Sequence, residues 1–456
     1  MSKPRRVVLL IADSLRYDSV YQGGDPRLPY VSAHAARFRQ ARSAGCWTLP
    51  ATASLFTGLM PHEHGADAQS RGLKPDVATL AERMKAAGYE THQVTANVAT
   101  TEIFGLDRGF DGMHRIWKMS PTHYQKIHEL LVLVGKPRLR KKILSPEFIA
   151  GKLSEDLEAS KVWLQSTALD VMAHARNLLE DADKRGVSCF LFLNLMESHF
   201  PYHVGDTFEC LSGGLLDQIR EVVSLYHLVN QTWLTTGEQP ISLPMLSTLR
   251  ERQRRAWLRL APMVDGFVEE LHRRHDTTVV FGADHGDNFG EQGWAYHFSN
   301  VTDAGNRVPL FWLKAGESHP QDIHVPVSSR DVCQGILKEV GENPGGYHLV
   351  DAPEQSFPVM QSCWYNNQGR TLAQYRYNQI CFLESNARWL NRAGEWYTAP
   401  PAPDDDTNAT GEAPFAPLPA GVSPLEELDI APERRQYLKN TFSAFDQFSQ
   451  KIMEKS

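Results

Sequence analysis

No run of apolar residues in this 456-residue chain approaches the ~20 needed to cross a bilayer, so no membrane span is expected. Cysteine is scarce. The six, at 46, 189, 210, 333, 363 and 381, form no CxxC pair and no framework spacing, which fits thiols in a reducing compartment. The opening "MSKPRRVVLLIADSLR" is basic and then apolar, but the apolar run, residues 7–12, stops at Asp13 and is too short for a secretory signal. A cytoplasmic location is the expectation, and the N-x-S/T triplets at Asn230, Asn300 and Asn408 then carry little meaning. Excess positive charge is also missing: 47 basic residues face 54 acidic ones, net −7. No general attraction to nucleic acid is expected from that balance. Two local basic runs, residues 136–142 and 250–255, read as solvated faces, with a polyanion-facing lip as the lesser reading.

What the chain does have is short apolar runs alternating with helical periodicity. Strands are expected over 7–12, 90–96, 189–196, 277–281 and 308–313. Between the first two, "DVATLAERMKAAGYE" reads as a helix, with Leu80, Met84 and Ala87 on one face and Gly88 closing it. Continuous apolar strands separated by helices predict an α/β fold with a mostly parallel sheet covered on both faces, spanning residues 1–350. Residues 118–180 and 213–272 read as helix-rich insertions. From 351 to 456 the pattern predicts a small antiparallel sheet over 355–398, a Pro/Ala/Asp-rich mobile excursion over 399–424, and a helix over 433–451.

In parallel sheets of this kind ligands gather beyond the carboxyl ends of the strands. Asp13, His199 and the pair Asp284-His285 all fall just past such ends. Asp13 alone reads equally well as a helix N-cap, and an isolated Asp-His pair as a structural contact. Taken together, Asp13, Asp284 and His285 offer two carboxylates and an imidazole. That set suits one divalent ion, Zn²⁺ or Mn²⁺; the imidazole disfavours a Ca²⁺ or Mg²⁺ oxygen cage.

The stretch "GCWTLPATASLFTG" adds a hydroxyl. Pro50 lies just inside the next element and Gly58 ends it, which places Thr48 at a helix N-terminus, where the dipole favours an anion. By itself such a threonine reads as a cap. Beside a divalent cation it becomes a nucleophile for phosphorus or sulfur. Cys46 reads as a small buried hydrophobe and not as a second nucleophile.

Seven pieces in order, "VVLLIADSLRYD", "WTLPATASLFTGLMPHEHG", "TLAERMKAAGYET", "FGLDRGFD", "ESHFPY", "GADHGDNFGEQGWAYH" and "NRVPLFW", carry a family resemblance. The chain resembles the sulfatase-like branch of the alkaline phosphatase superfamily over most of its length. The resemblance implies a doubly wound sheet, a small C-terminal antiparallel subdomain, a metal at the strand ends and a nucleophile on the helix after the first strand. Sulfatases proper carry Cys or Ser in C/S-x-P-x-R, converted to formylglycine. Here Thr48 stands at that position, Cys46 is two residues too early and the Arg position is Thr52, so no formylglycine is expected. Ser14 stands where many metal-rich relatives have a second Asp, which points to one metal.

By the same resemblance, His199 and His297 match positions that contact substrate oxygens, and either could protonate a leaving group. His64 is expected to buttress the nucleophile helix. Asn97, at the end of "HQVTAN", is a candidate donor to a bound oxyanion. Arg16 and Asp18 are expected to stabilise the fold, and Arg307 to anchor its strand. The function expected is a metal-dependent hydrolase or transferase of phosphate mono- or diesters, acting on a small molecule through a phospho-threonine. Two alternatives stand beside it: a sulfuric ester hydrolase without formylglycine, and a non-catalytic binding protein on the same fold.

Overall fold

The computed structural model describes residues 5–116, 167–202, 243–362, 378–400 and 413–453, apart from a few single or paired positions within those ranges. The segment Arg6–Ala12 is buried along its whole length and forms the centre of an eight-stranded sheet. Its neighbours are Ser188–Leu195 and Thr277–Gly282, both parallel to it. Beyond Ser188–Leu195 lie Tyr89–Thr95 and Gly112–Arg115; on the other side come Leu310–Leu313, Ala36–Phe38 and Gln321–Ile323. All pairings are parallel except those of Leu310–Leu313 with its two neighbours, so that strand alone is reversed. The predicted strands all form, within one or two residues at each end.

Central strands such as "RVVLLIA" and "SCFLFLNL" are apolar without alternation because helices cover both faces. Ala168–Arg185 and Leu243–His272 pack on one side. Thr48–Thr57, Leu80–Ala86 and Asp331–Glu339 pack together on the other. The helix Leu80–Ala86 opens with a capping box, Thr79 and Glu82 exchanging backbone N–H bonds, and Gly88 follows its end at φ 87°. Of the two expected helix-rich insertions, residues 118–166 and 213–242 lie outside the described residues. The basic run at 136–142 does as well. The run at 250–255 sits on Leu243–His272, where Arg250 pairs with Asp18 and Arg254 with Glu251.

The C-terminal part forms a five-stranded antiparallel sheet: Val359–Ser362, Gln379–Glu384, Ala387–Arg392, Glu395–Ala399 and Ala416–Pro417. The last strand corrects the expectation that residues 399–424 form only a mobile excursion. Ala416 and Pro417 pair with Thr398 and Tyr397, and the Arg388 guanidinium donates to the Ala413 carbonyl while lying over the Phe415 ring. Proline is tolerated there because the strand is an edge among the described residues, so no further strand among them calls for the N–H that proline lacks. The terminal helix Pro432–Met453 packs Leu438, Phe442 and Phe445 against Ile380 and Phe382. Ala44 and Met60 share that apolar cluster, and the Gln361 N–H donates to the Ala44 carbonyl at 2.9 Å. The small sheet thereby supports the loop that leads into the helix bearing Thr48.

Candidate active site

Register decides where the site forms. Ile11 lies opposite both Asn194 and Gly282, so the three central strands end level with one another. Asp13, the Glu197–His199 turn and Asp284-His285 therefore emerge side by side. Asp13, Asp284 and His285 are fully buried, and a donor atom from each lies within 4.8 Å of the others.

Thr48 joins them from the opposite direction. The helix Thr48–Thr57 begins at Trp47, whose backbone is extended, and ends at Gly58 with φ 73°. Gly45 allows the preceding loop to fold tightly over the helix start: a Cβ there would sit 2.7 Å from the Ala51 nitrogen. Thr48 Oγ1 consequently lies 3.2 Å from His285 Nε2. The same nitrogen is 3.5 Å from Asp284 Oδ2 and 3.8 Å from Asp13 Oδ1. Four side chains brought from three parts of the chain thus point at one small volume.

The hydrogen bonding shows which atoms remain for an ion. Asp13 Oδ1 accepts from the Ser14 hydroxyl at 3.1 Å, and its Oδ2 from Asn97 Nδ2 at 2.6 Å and Asn194 Nδ2 at 3.3 Å. Asp284 Oδ1 accepts the backbone N–H groups of Ser14 and His285, at 3.1 and 2.9 Å. Asp284 Oδ2 has no hydrogen-bond partner among the described residues although it is buried. A buried carboxylate oxygen without a donor is costly. His285 Nδ1 faces the Gly286 carbonyl at 3.0 Å, which places the proton on Nδ1 and the lone pair on Nε2. The donor set fits a divalent cation.

The electrostatics agree with that fit. Burial, and then the charge of Asp13, push the Asp284 carboxyl well above the usual range. Burial works against Asp13 ionisation too, but His199, His285 and the Asn97 hydrogen bond hold its carboxyl below the usual range. Burial also lowers the His285 imidazole despite Asp13 and Asp287, which keeps it neutral, the form in which imidazole binds metal.

His297 and His199 line the adjoining space, the His297 ring centroid 4.5 Å from that of His285 and 5.3 Å from that of His199. His199 is half-buried, with Nδ1 2.8 Å from the Phe200 carbonyl. Asn97 lies close by, and its amide donates one hydrogen bond to Asp13 Oδ2 at 2.6 Å.

Two residues, Asp287 and Asn194, went unnoticed in the sequence, and Ser14 takes a role that the sequence did not give it. Asp287 Oδ1 lies 2.5 Å from His297 Nδ1, and its Oδ2 accepts from Tyr202 OH at 2.9 Å. Its place two residues after His285 was the available signal. Ser14, at φ 58°, serves both carboxylates as a donor. Asn194, inside an apolar strand, is explained by its bond to Asp13. Gly286 lets another segment of the chain pass close by: a Cβ there would meet the Ala304 carbonyl at 2.3 Å.

The surrounding residues hold this arrangement in place. Arg16, fully buried, pairs with Asp18 and Glu291 and donates to the Asp287 carbonyl. Arg307 donates to the Arg39 carbonyl. Cys46, in the loop that leads into the Thr48 helix, is buried.

His64 packs under the Thr48 helix. Its Nδ1 accepts the Ala66 N–H at 3.0 Å, so its Nε2 carries the proton to Ser54 Oγ, also at 3.0 Å. Both ring nitrogens are used in the neutral form, and burial holds the imidazole down at about 3. Because the folded value lies below the unfolded ~6.5, this group's stabilisation is complete above pH 6.5 and is lost as pH falls from there toward 3. The stability difference between the parent and His64→Gln is expected to shrink by up to ~1.4 kcal/mol per pH unit through that window. Denaturant titrations at pH 7, 6, 5 and 4 measure it; a difference independent of pH would contradict the neutral buried imidazole.

The sulfatase family model matches residues 5–341. Bovine (Bos taurus) arylsulfatase A is 27% identical over 231 residues, which is 46% of this chain and 45% of that protein. The chain spans about half the length of the curated relatives it matches. Among solved structures, the phosphonate monoester hydrolase of Agrobacterium radiobacter superposes with a TM-score of 0.62 at 13% identity, covering 98% of this chain and 96% of that one. A protein of the alkaline phosphatase superfamily from Vibrio parahaemolyticus superposes with a TM-score of 0.54 at 13% identity, covering 98% and 89%. The matched span covers well over half of the sequence, and with the eight-stranded sheet and the separate antiparallel sheet it leads to one conclusion: this chain belongs to the sulfatase family.

Proposed function

We propose that the protein is a metal-dependent ester hydrolase or transferase acting on phosphate or phosphonate esters of small molecules, with Thr48 as nucleophile. The observation that carries this reading is the Thr48 hydroxyl, 3.2 Å from His285 Nε2 and facing the same volume as Asp13 and the unpartnered Asp284 Oδ2. Asp13, Asp284, His285 and Thr48 would hold one divalent ion, Zn²⁺ or Mn²⁺, which supplies Lewis-acid charge and lowers the pKa of the threonine hydroxyl.

The chain's own residues do the rest. Thr48 Oγ1 attacks phosphorus, the bond to the substrate alcohol breaks, and a phospho-threonine remains for water or an acceptor alcohol to displace. Asp287 fixes His297 with its proton on Nδ1, so Nε2 is the nitrogen that exchanges a proton with the leaving oxygen. His199, on the other wall, pairs with charge on the non-bridging oxygens. Asn97, Asn194 and Ser14 keep Asp13 in place and ionised.

Phosphorus is favoured over sulfur by the threonine. A sulfated threonine lacks the geminal hydroxyl through which formylglycine eliminates sulfate, whereas a phosphorylated one is open to in-line displacement. The structural likeness to a phosphonate monoester hydrolase supports the same side, while the relationship to arylsulfatase A supports sulfate esters as the second reading. Purified protein loaded with Zn²⁺ or Mn²⁺ and offered matched 4-nitrophenyl phosphate, phosphonate and sulfate esters separates the two. We expect kcat/KM for the phosphorus esters to exceed that for the sulfate by roughly tenfold or more, a difference of ~1.4 kcal/mol in transition-state binding. Faster sulfate release selects the second reading, and no turnover on any ester returns the protein to a binding role.

A further inference from the structure

A second cluster of imidazoles lies at the far edge of the main sheet, on elements that carry none of the proposed metal ligands or catalytic side chains of the site above. His92 stands on Tyr89–Thr95, directly opposite Gly112 on Gly112–Arg115. His114, two residues beyond Gly112, shares that face of the sheet by the two-residue period of a strand. The helix Ala168–Arg185 packs on Tyr89–Thr95 and brings in His174, whose ring centroid lies 4.4 Å from that of His114.

From this geometry we infer a second metal site, for a late first-row divalent cation such as zinc, held by His92, His114 and His174. His92 Nδ1 and His114 Nε2 are 3.3 Å apart. Two nitrogens bound to one tetrahedral zinc at 2.0–2.1 Å stand about 3.3–3.4 Å from each other, so this spacing is the edge of such a site. Glu90 Oε1 lies 2.6 Å from His92 Nε2 and is itself held by Arg185. That carboxylate accepts the hydrogen bond of Nε2–H, which keeps the proton on Nε2 and the lone pair on Nδ1, the arrangement that orients metal-bound histidines.

The space between the rings is kept by Gly112, where a Cβ would lie 2.5 Å from His92 Nδ1 and 2.9 Å from His114 Nε2. His174 Nε2 is buried with no hydrogen-bond partner among the described residues. The donor atoms of all three rings are not yet within 4.8 Å of one another, so His174 turns about its side-chain torsions to complete the set, with water in the fourth position. Burial, together with His174 and His92, holds the His114 imidazole down at about 4, which keeps it neutral and ready to bind at ordinary pH.

The test is a zinc titration of the chelator-stripped full chain, with bound metal counted by elemental analysis, in the parent and in His114→Ala, His174→Gln and Asp284→Ala variants. The parent is expected to take up one equivalent more than His114→Ala does. Asp284→Ala should retain that equivalent, and the double variant His114→Ala/Asp284→Ala should lose it. Glu90→Gln should weaken it roughly ten- to a hundredfold, and ester turnover of His114→Ala should match the parent's. Equal uptake by the parent, His114→Ala and His174→Gln overturns the inference, as does loss of one and the same equivalent in His114→Ala and Asp284→Ala. If Asp284→Ala takes up as much zinc as the parent, the reading of the active site fails and the edge site stands on the His114 and His174 results alone.

Discussion

Thr48→Ala is expected to lower kcat by roughly 10³-fold or more, equivalent to ~4 kcal/mol or more of lost transition-state stabilisation, while metal content stays unchanged. The reason is a division of labour within the site. With the carboxylates and the imidazole engaged on the cation, Thr48 is the member of the set left to form a bond to phosphorus and be released from it. The two carboxylates and the imidazole remain to hold the cation without it. Thr48→Ser keeps the hydroxyl at the same helix start and should retain most of the rate. Single-turnover measurements with a 4-nitrophenyl phosphorus ester, alongside metal analysis, check both halves. An alanine variant that keeps most of its rate would remove Thr48 from the nucleophile role, whatever its distance from His285.

Asp284→Ala should separate metal binding from folding. In the metal-free protein Asp284 is a liability: it is fully buried, its Oδ2 has no donor among the described residues, and Asp13 repels its charge. Removing it should therefore leave the unfolding midpoint of the metal-free protein unchanged or raised, against the usual loss on truncating a buried side chain. The response to metal should differ sharply. A cation at 100 times its Kd stabilises the parent by about 2.7 kcal/mol, and the variant should show no such rise from this site. Turnover should vanish with it. Thermal unfolding with and without excess Mn²⁺ gives both numbers, and a variant as strongly stabilised by Mn²⁺ as the parent would exclude Asp284 as a ligand.

Much of this architecture could be read from local pattern. The strand Arg6–Ala12 and its two neighbours are continuous apolar runs, and both the buried sheet and the polar residues at its ends follow from them. The helix Thr48–Thr57 was legible from Pro50 and Gly58, because each fixes a backbone conformation locally. The reversed direction of Leu310–Leu313 was not, since strand direction depends on where the chain re-enters the sheet. The strand Ala416–Pro417 was missed because composition describes what a segment cannot bury, not what edge it can pair with.

The identity of the groups past the strand ends, Asp13, His199 and Asp284-His285, was thus set by the order of residues alone, because a strand's end is a local event. Their partners were decided only in three dimensions. Asn97 met Asp13, Asp287 reached His297, and His92, His114 and His174 met across 82 residues of chain. Which side chains meet depends on register and on the angle at which a helix crosses a sheet, and neither leaves a trace in the spacing of residues that lie far apart.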